Sequence, residues 1–123
     1  MRARAPKTKM LERTIKLAVK RRLKQVGAYQ HWPVQMGMGE PTLDCIGCYL
    51  GLYFAVETKR PGGKVTRLQQ VTIDRIQAAN GLAFVIDSLE AANALFSDNP
   101  PPLAKTTRTL RANLRVVAGR ADG

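Results

Sequence analysis

The chemistry-bearing pattern of this chain is Asp44 followed by Glu57 and Lys59. Asp44–Tyr49 and Leu52–Lys59 read as strands, joined by the two-residue hairpin loop Leu50-Gly51. Counting outward from that loop pairs Tyr49 with Leu52, Cys48 with Tyr53, Gly47 with Phe54, Ile46 with Ala55, Cys45 with Val56, and Asp44 with Glu57. Strand alternation then puts Tyr53, Ala55, Glu57 and Lys59 on one face, with Asp44 opposite Glu57 at roughly 5 Å between Cβ atoms. Two opposed carboxylates are destabilising unless a cation lies between them, and oxygen ligands suit Mg²⁺ or Mn²⁺. Lys59 is placed to meet whatever that metal binds. The plainer alternative is a solvated strand face with an incidental ion pair.

Two further polar residues stand out. Glu12 is the only acid in the first 39 residues and shares a helical side with Ile15, Val19 and Leu23. A carboxylate on an apolar face needs a partner, and a metal or Lys16 one turn on would serve. Gln69 stands three residues after Thr66, the spacing of a capping box, and that structural duty alone would explain it.

The run Gly37-Met38-Gly39-Glu40-Pro41-Thr42-Leu43-Asp44-Cys45-Ile46-Gly47-Cys48-Tyr49, then Phe54-Ala55-Val56-Glu57-Thr58-Lys59, then Thr66-x-x-Gln69, resembles the VRR-NUC family of the PD-(D/E)xK nuclease superfamily over residues 9–88. The resemblance implies a restriction-endonuclease-like core. It also implies a homodimeric enzyme of phage or bacterial type that cuts branched DNA such as four-way (Holliday) junctions. By position it makes Glu12 the helix-borne metal carboxylate, Asp44 and Glu57 the central metal ligands, Lys59 the catalytic lysine and Gln69 the glutamine of the following helix. The main-chain carbonyl of Thr58 adds a ligand in the superfamily's pattern. One position departs: many members carry Pro directly before the metal-binding Asp, where this chain has Leu43.

Phosphodiester hydrolysis needs an activated water, charge relief on the phosphate and a stabilised leaving oxygen. A metal on Asp44 and Glu57 would lower the pKa of a bound water, while Lys59 orients that water or offsets charge on the phosphorane. The Gly62-Gly63 loop with Arg60, Lys64 and Arg67 would present N–H groups and positive charge to DNA. The competing function is a basic DNA- or RNA-binding protein without catalysis.

The elements that must position these residues follow from periodicity and punctuation. Lys9–Val26 reads as an amphipathic helix capped by Thr8 and ended by Gly27. Tyr29–Met36 reads as an edge strand broken by Pro33, and Gly37–Pro41 as a loop. A second helix is expected over Arg67–Asn80, closed by Gly81, then a buried strand at Leu82–Ile86 and a short helix from Ser88 to Phe96. The order α-β-β-β-α-β-α predicts an α/β fold, a mixed sheet of about four strands flanked by helices. Residues 1–8 read as a flexible basic arm, 9–97 as the nuclease-like domain and 98–123 as a linker and basic C-terminal helix. That helix, with Leu110, Leu114 and Val117 beside Arg108, Arg111 and Arg115, suits either DNA or a dimer seam.

The 123 residues carry 20 Lys/Arg against 9 Asp/Glu, a net charge of +11, with 45% hydrophobic residues. This is globular composition and favours a polyanionic partner. The charge divides unevenly: residues 1–24 hold ten basic residues and one acid, residues 101–123 five and one, and the middle five and seven. Lys20, Arg21 and Arg22 are therefore expected on DNA. No apolar run suits a membrane span, and two cysteines without a signal peptide point to the cytoplasm. No Gly-rich nucleotide loop is present, so a nucleotide cofactor is not expected. Cys45 and Cys48 would face opposite sides of a strand, which suits neither zinc nor a disulfide. His31-Trp32 reads as a half-buried strand pair in preference to a base-stacking one.

Overall fold

The computed structural model describes residues 7–34 and 39–107. The C-terminal helix expected beyond residue 107 and most of the N-terminal arm lie outside them. The elements are α1 (Lys7–Gln25), β1 (Tyr29–His31), β2 (Cys45–Tyr49), β3 (Leu52–Thr58), α2 (Arg67–Ala78), β4 (Leu82–Ile86) and α3 (Leu89–Ala94). They form a four-stranded sheet in the order β1-β2-β3-β4, antiparallel except for the parallel pair β3–β4. This is the mixed α/β architecture expected from the pattern.

The hairpin register is the one counted from Leu50-Gly51, from Tyr49↔Leu52 to Cys45↔Val56. Both loop residues take left-handed dihedrals, φ 50° and 82°, the primed turn whose twist matches that of the strands. Gly47 is required by close approach. A Cβ there would lie 1.9 Å from the Tyr29 carbonyl oxygen and 2.7 Å from the Phe54 ring, so only glycine lets β1 pair with β2.

The sheet separates two apolar layers by strand alternation. Cys45, Phe54, Val56, Phe84 and Ile86 face Ile15, Ala18, Val19 and Leu23 of α1 and Ala92 and Leu95 at α3. Ala55 and Ala83 face Ile73 of α2, with Leu43, Ile46 and Ile76 alongside. Phe96 closes the first layer with its ring 4.3 Å from Tyr49 and edge-on to Phe54 and Phe84.

Boundaries move where side chains override the pattern. Helix α1 begins at Lys7, two residues before the expected start at Lys9, so Thr8 lies within it. β1 ends at His31, and α3 ends at Ala94, short of Phe96. At the end of α2 the left-handed residue is Asn80, φ 67°, ahead of Gly81. Residues 104–107, assigned from sequence to the segment beyond the domain, are bound to it. Ala104 N–H donates to the Ala83 carbonyl on the open edge of β4 at 2.8 Å, and its own carbonyl accepts from Gln77 Nε2 at 2.6 Å. Gln70 Nε2 donates to the Lys105 carbonyl at 2.8 Å. Buried Asp74 accepts from both the N–H and the hydroxyl of Thr107.

Candidate active site

β3 is a central strand, and its C-terminal end carries Glu57, Thr58 and Lys59 in succession. Alternation sends Glu57 to the α2 layer and Thr58 to the α1 layer. The Lys59 N–H donates to the Ile86 carbonyl on β4 at 3.0 Å, so the main-chain groups of Thr58 turn the other way, toward β2. The β2–β3 ladder ends at Cys45↔Val56. Beyond it the Asp44 carboxylate meets Thr58: Oδ2 accepts from Thr58 N–H at 2.9 Å and from the Thr58 hydroxyl at 2.7 Å. Asp44 N–H in turn donates to Glu57 Oε1 at 3.3 Å. Asp44 lies one residue before β2 and is not paired with Glu57 in the sheet; their expected apposition is made by this direct hydrogen bond.

Gln69 joins them. Its Oε1 accepts from Thr66 N–H at 2.9 Å and its backbone N–H donates to Thr66 Oγ1 at 3.2 Å, completing the capping box of α2. Its Nε2 donates to Glu57 Oε2 at 3.0 Å. Since Thr66 N–H can only donate, it fixes which end of the amide is oxygen and so aims the NH₂ at Glu57. One residue serves both duties considered from sequence. Lys59 Nζ stands 3.7 Å from Glu57 Oε2.

Glu57 is only 3% exposed. Burial, aided by the nearby Asp44 charge and opposed by Lys59, pushes its carboxyl up to about 7. A buried acid beside a second acid is an electrostatic cost in a fold that offers one ammonium in compensation. No buried side-chain polar atom among the described residues is left unsatisfied. Asp44, Glu57 and the carbonyl of Thr58, which projects to the β2 side, form an all-oxygen donor set that fits a hard divalent cation of the Mg²⁺ or Mn²⁺ kind.

Glu12 stands apart from them. It is half-buried on α1, in the layer across the sheet from α2, and the described residues contain no group of three His, Cys, Asp or Glu side chains able to hold a metal. No ion pair joins it to Lys16 among the described residues, where the pairs found are Lys59–Glu57 and Arg75–Glu40. Of the basic residues expected on DNA, Lys20, Arg21, Arg60, Lys64 and Arg67 are exposed. Arg22 differs: its Nε–H donates to the Leu95 carbonyl at 2.8 Å and ties α1 to the end of α3. Cys45 is buried, its thiol pushed up to about 12 by burial, and Cys48 is exposed on the other face. A groove of about 770 Å³ between α2 and the hairpin is lined by Leu43, Ile46, Tyr53, Arg75 and Ile76 among others. It borders on Asp44 through Leu43 but contains none of the four site side chains, so the chemistry belongs to the carboxylate pair. Among the described residues no helix is long and apolar enough to cross a membrane.

Sequence reasoning missed the Thr58 hydroxyl as a brace for Asp44, since a threonine in a strand has an ordinary packing explanation. No protein-family model and no curated protein matches the chain. Among solved structures it is similar to a "VRR_NUC domain", with a TM-score of 0.59 and 20% identity over 68% of this chain and 91% of that one. The chain therefore has the fold of a VRR_NUC domain, as its sequence resemblance implies.

Proposed function

We propose that this protein is a divalent-metal-dependent DNA endonuclease that hydrolyses phosphodiester bonds, using Asp44, Glu57 and the Thr58 carbonyl as ligands for Mg²⁺ or Mn²⁺. The observation that carries this reading is the buried Glu57 carboxylate, held against Asp44 with a single lysine for compensation. Such a pair costs stability in a protein that only binds DNA. A bound divalent cation supplies Lewis acidity, activating a water and polarising the phosphate.

The chain's own residues do the rest. Thr58 pins Oδ2 of Asp44 through two hydrogen bonds and so fixes the orientation of the carboxylate. Gln69 and the Asp44 N–H hold both oxygens of Glu57 in one rotamer, so little ordering is needed when a cation arrives. The Lys59 ammonium offsets charge on the phosphorane, or holds the attacking water through its N–H groups. Arg60, Lys64 and Arg67 are exposed and follow Lys59 around the Gly62-Gly63 turn, and in this reading they receive the DNA backbone.

Branched DNA is the proposed substrate and a homodimer the proposed active unit, because cutting both strands of a symmetric junction suits a two-fold arrangement. Incubation with four-way, flap and linear DNA in Mn²⁺, Mg²⁺ or EDTA tests this. The expected result is cleavage of the four-way junction that requires the metal and is lost in Glu57→Ala and Lys59→Ala. Binding without cleavage of any substrate would leave the non-catalytic reading standing.

A further inference from the structure

Helix α1 carries a basic stripe that the hydrolytic site does not use. Arg13, Lys16, Lys20 and Lys24 recur at spacings of three, four and four residues, so they fall on one flank of the helix. At 1.5 Å per residue they span roughly 16 Å, a length over which one strand of B-form DNA carries about five phosphates. Arg21 lies off this flank, and Arg22 is turned toward α3.

The stripe is organised by Trp32. Lys20 Nζ lies 4.9 Å from the centroid of the Trp32 ring, and Lys16 Nζ lies 5.9 Å from it. The ring is itself fixed: Trp32 Nε1 donates to Gln30 Oε1 at 2.8 Å, and Gln30 Nε2 donates to the Lys20 carbonyl at 3.1 Å. Two like charges one helical turn apart repel, and a shared aromatic face favours both. Among the described residues neither lysine is in an ion pair; the pairs there are Lys59–Glu57 and Arg75–Glu40. Two ammonium groups held side by side without a counter-charge are a site for consecutive phosphates.

We infer that the flank of α1 formed by Arg13, Lys16, Lys20 and Lys24, with Trp32 as its brace, is a second DNA-binding face that grips the phosphate backbone of a duplex. It stands at the β1 edge of the sheet, away from Glu57 and α2, and so holds duplex that flanks the position of cleavage. The face would remain a DNA contact even if Glu57 proved idle in hydrolysis.

Trp32 is the only tryptophan, so its emission reports on this face alone. The full chain is titrated with a 30-bp duplex in EDTA, where no hydrolysis intervenes. The expected result is a change in emission on binding. Lys16→Gln/Lys20→Gln should bind on the order of 100-fold more weakly at ~50 mM salt, with a log K against log salt slope shallower by about 2. Lys105→Gln removes one exposed charge elsewhere and should leave the emission change in place. An emission that stays fixed while a labelled duplex gains anisotropy would overturn the assignment. So would a double variant with the wild-type salt slope, or a wild type that binds no duplex. Because cleavage in Mn²⁺ is read separately, failure of the hydrolytic reading leaves this result unaffected.

Discussion

Glu57→Gln should change the pH dependence of stability in a direction set by the buried carboxyl. In the folded chain that carboxyl is pushed from 4.5 up to about 7, chiefly by burial. Between those values the native state holds a proton that the unfolded chain has released, so stability falls as pH rises. The loss begins near the unfolded value and levels off above the folded one. A shift of this size corresponds to about 3 kcal/mol between pH 4 and pH 8, because each pKa unit is worth about 1.4 kcal/mol. Glutamine keeps the shape and cannot ionise, but its NH₂ meets a donor in place of an acceptor at either Asp44 N–H or Gln69 Nε2. That mismatch costs about 1 to 2 kcal/mol. The variant should therefore be less stable than wild type at pH 4 to 5 and match or exceed it at pH 8. Urea unfolding in EDTA at half-unit pH steps reads both, and the difference between the two chains cancels the titration of every other group. Adding Mn²⁺ at pH 8 should raise wild-type stability and leave Glu57→Gln unmoved. A difference between the two chains that is flat from pH 4 to pH 8 would refute the reasoning, because Glu57 would then titrate in the folded chain as it does in the unfolded one.

Gln69→Ala removes both the capping-box acceptor and the Glu57 partner, so cleavage should fall about 10- to 100-fold with loss of metal affinity, while stability falls by roughly 1 kcal/mol. Gly47→Ala places a Cβ against the Tyr29 carbonyl and should cost more than about 2 kcal/mol in urea unfolding as β1 is displaced. Asp74→Ala leaves the Thr107 N–H and the Gln70 amide without their acceptor. It should lower stability by about 2 to 3 kcal/mol and expose residues 104–107 to limited proteolysis.

What could be seen in advance depended on whether a residue's neighbours were set by the backbone or by a side chain. The Leu50-Gly51 turn sets the five pairs from Tyr49↔Leu52 to Cys45↔Val56, so counting brought Asp44 to the level of Glu57, although the ladder ends one residue short of that pair and a side-chain bond joins the two. Thr66 and Gln69 form a local motif, and the cap was legible for the same reason. The second bond of Gln69, to Glu57, depends on how α2 lies across the sheet, which spacing alone does not give. Gln70, Asp74 and Gln77 drew no attention in the sequence, because the residues they bond, 104–107, lie roughly 30 positions further along the chain. Glu12 shares a helical side with Ile15, Val19 and Leu23 as expected, but makes no three-ligand group with Asp44 and Glu57 among the described residues, and spacing along a helix does not give its distance from a strand. Arg22 was one of ten basic residues near the N-terminus, and only tertiary packing distinguishes the one bonded to Leu95.

The central claim is that Asp44 and Glu57 hold a divalent cation, and a calorimetric titration of Mn²⁺ into the apo protein at pH 8 tests it most directly. One saturable site is predicted in the wild type, weaker at pH 6 where Glu57 retains its proton, and absent in Glu57→Ala with an unchanged far-ultraviolet circular dichroism spectrum. Equal Mn²⁺ binding by wild type and Glu57→Ala would contradict it.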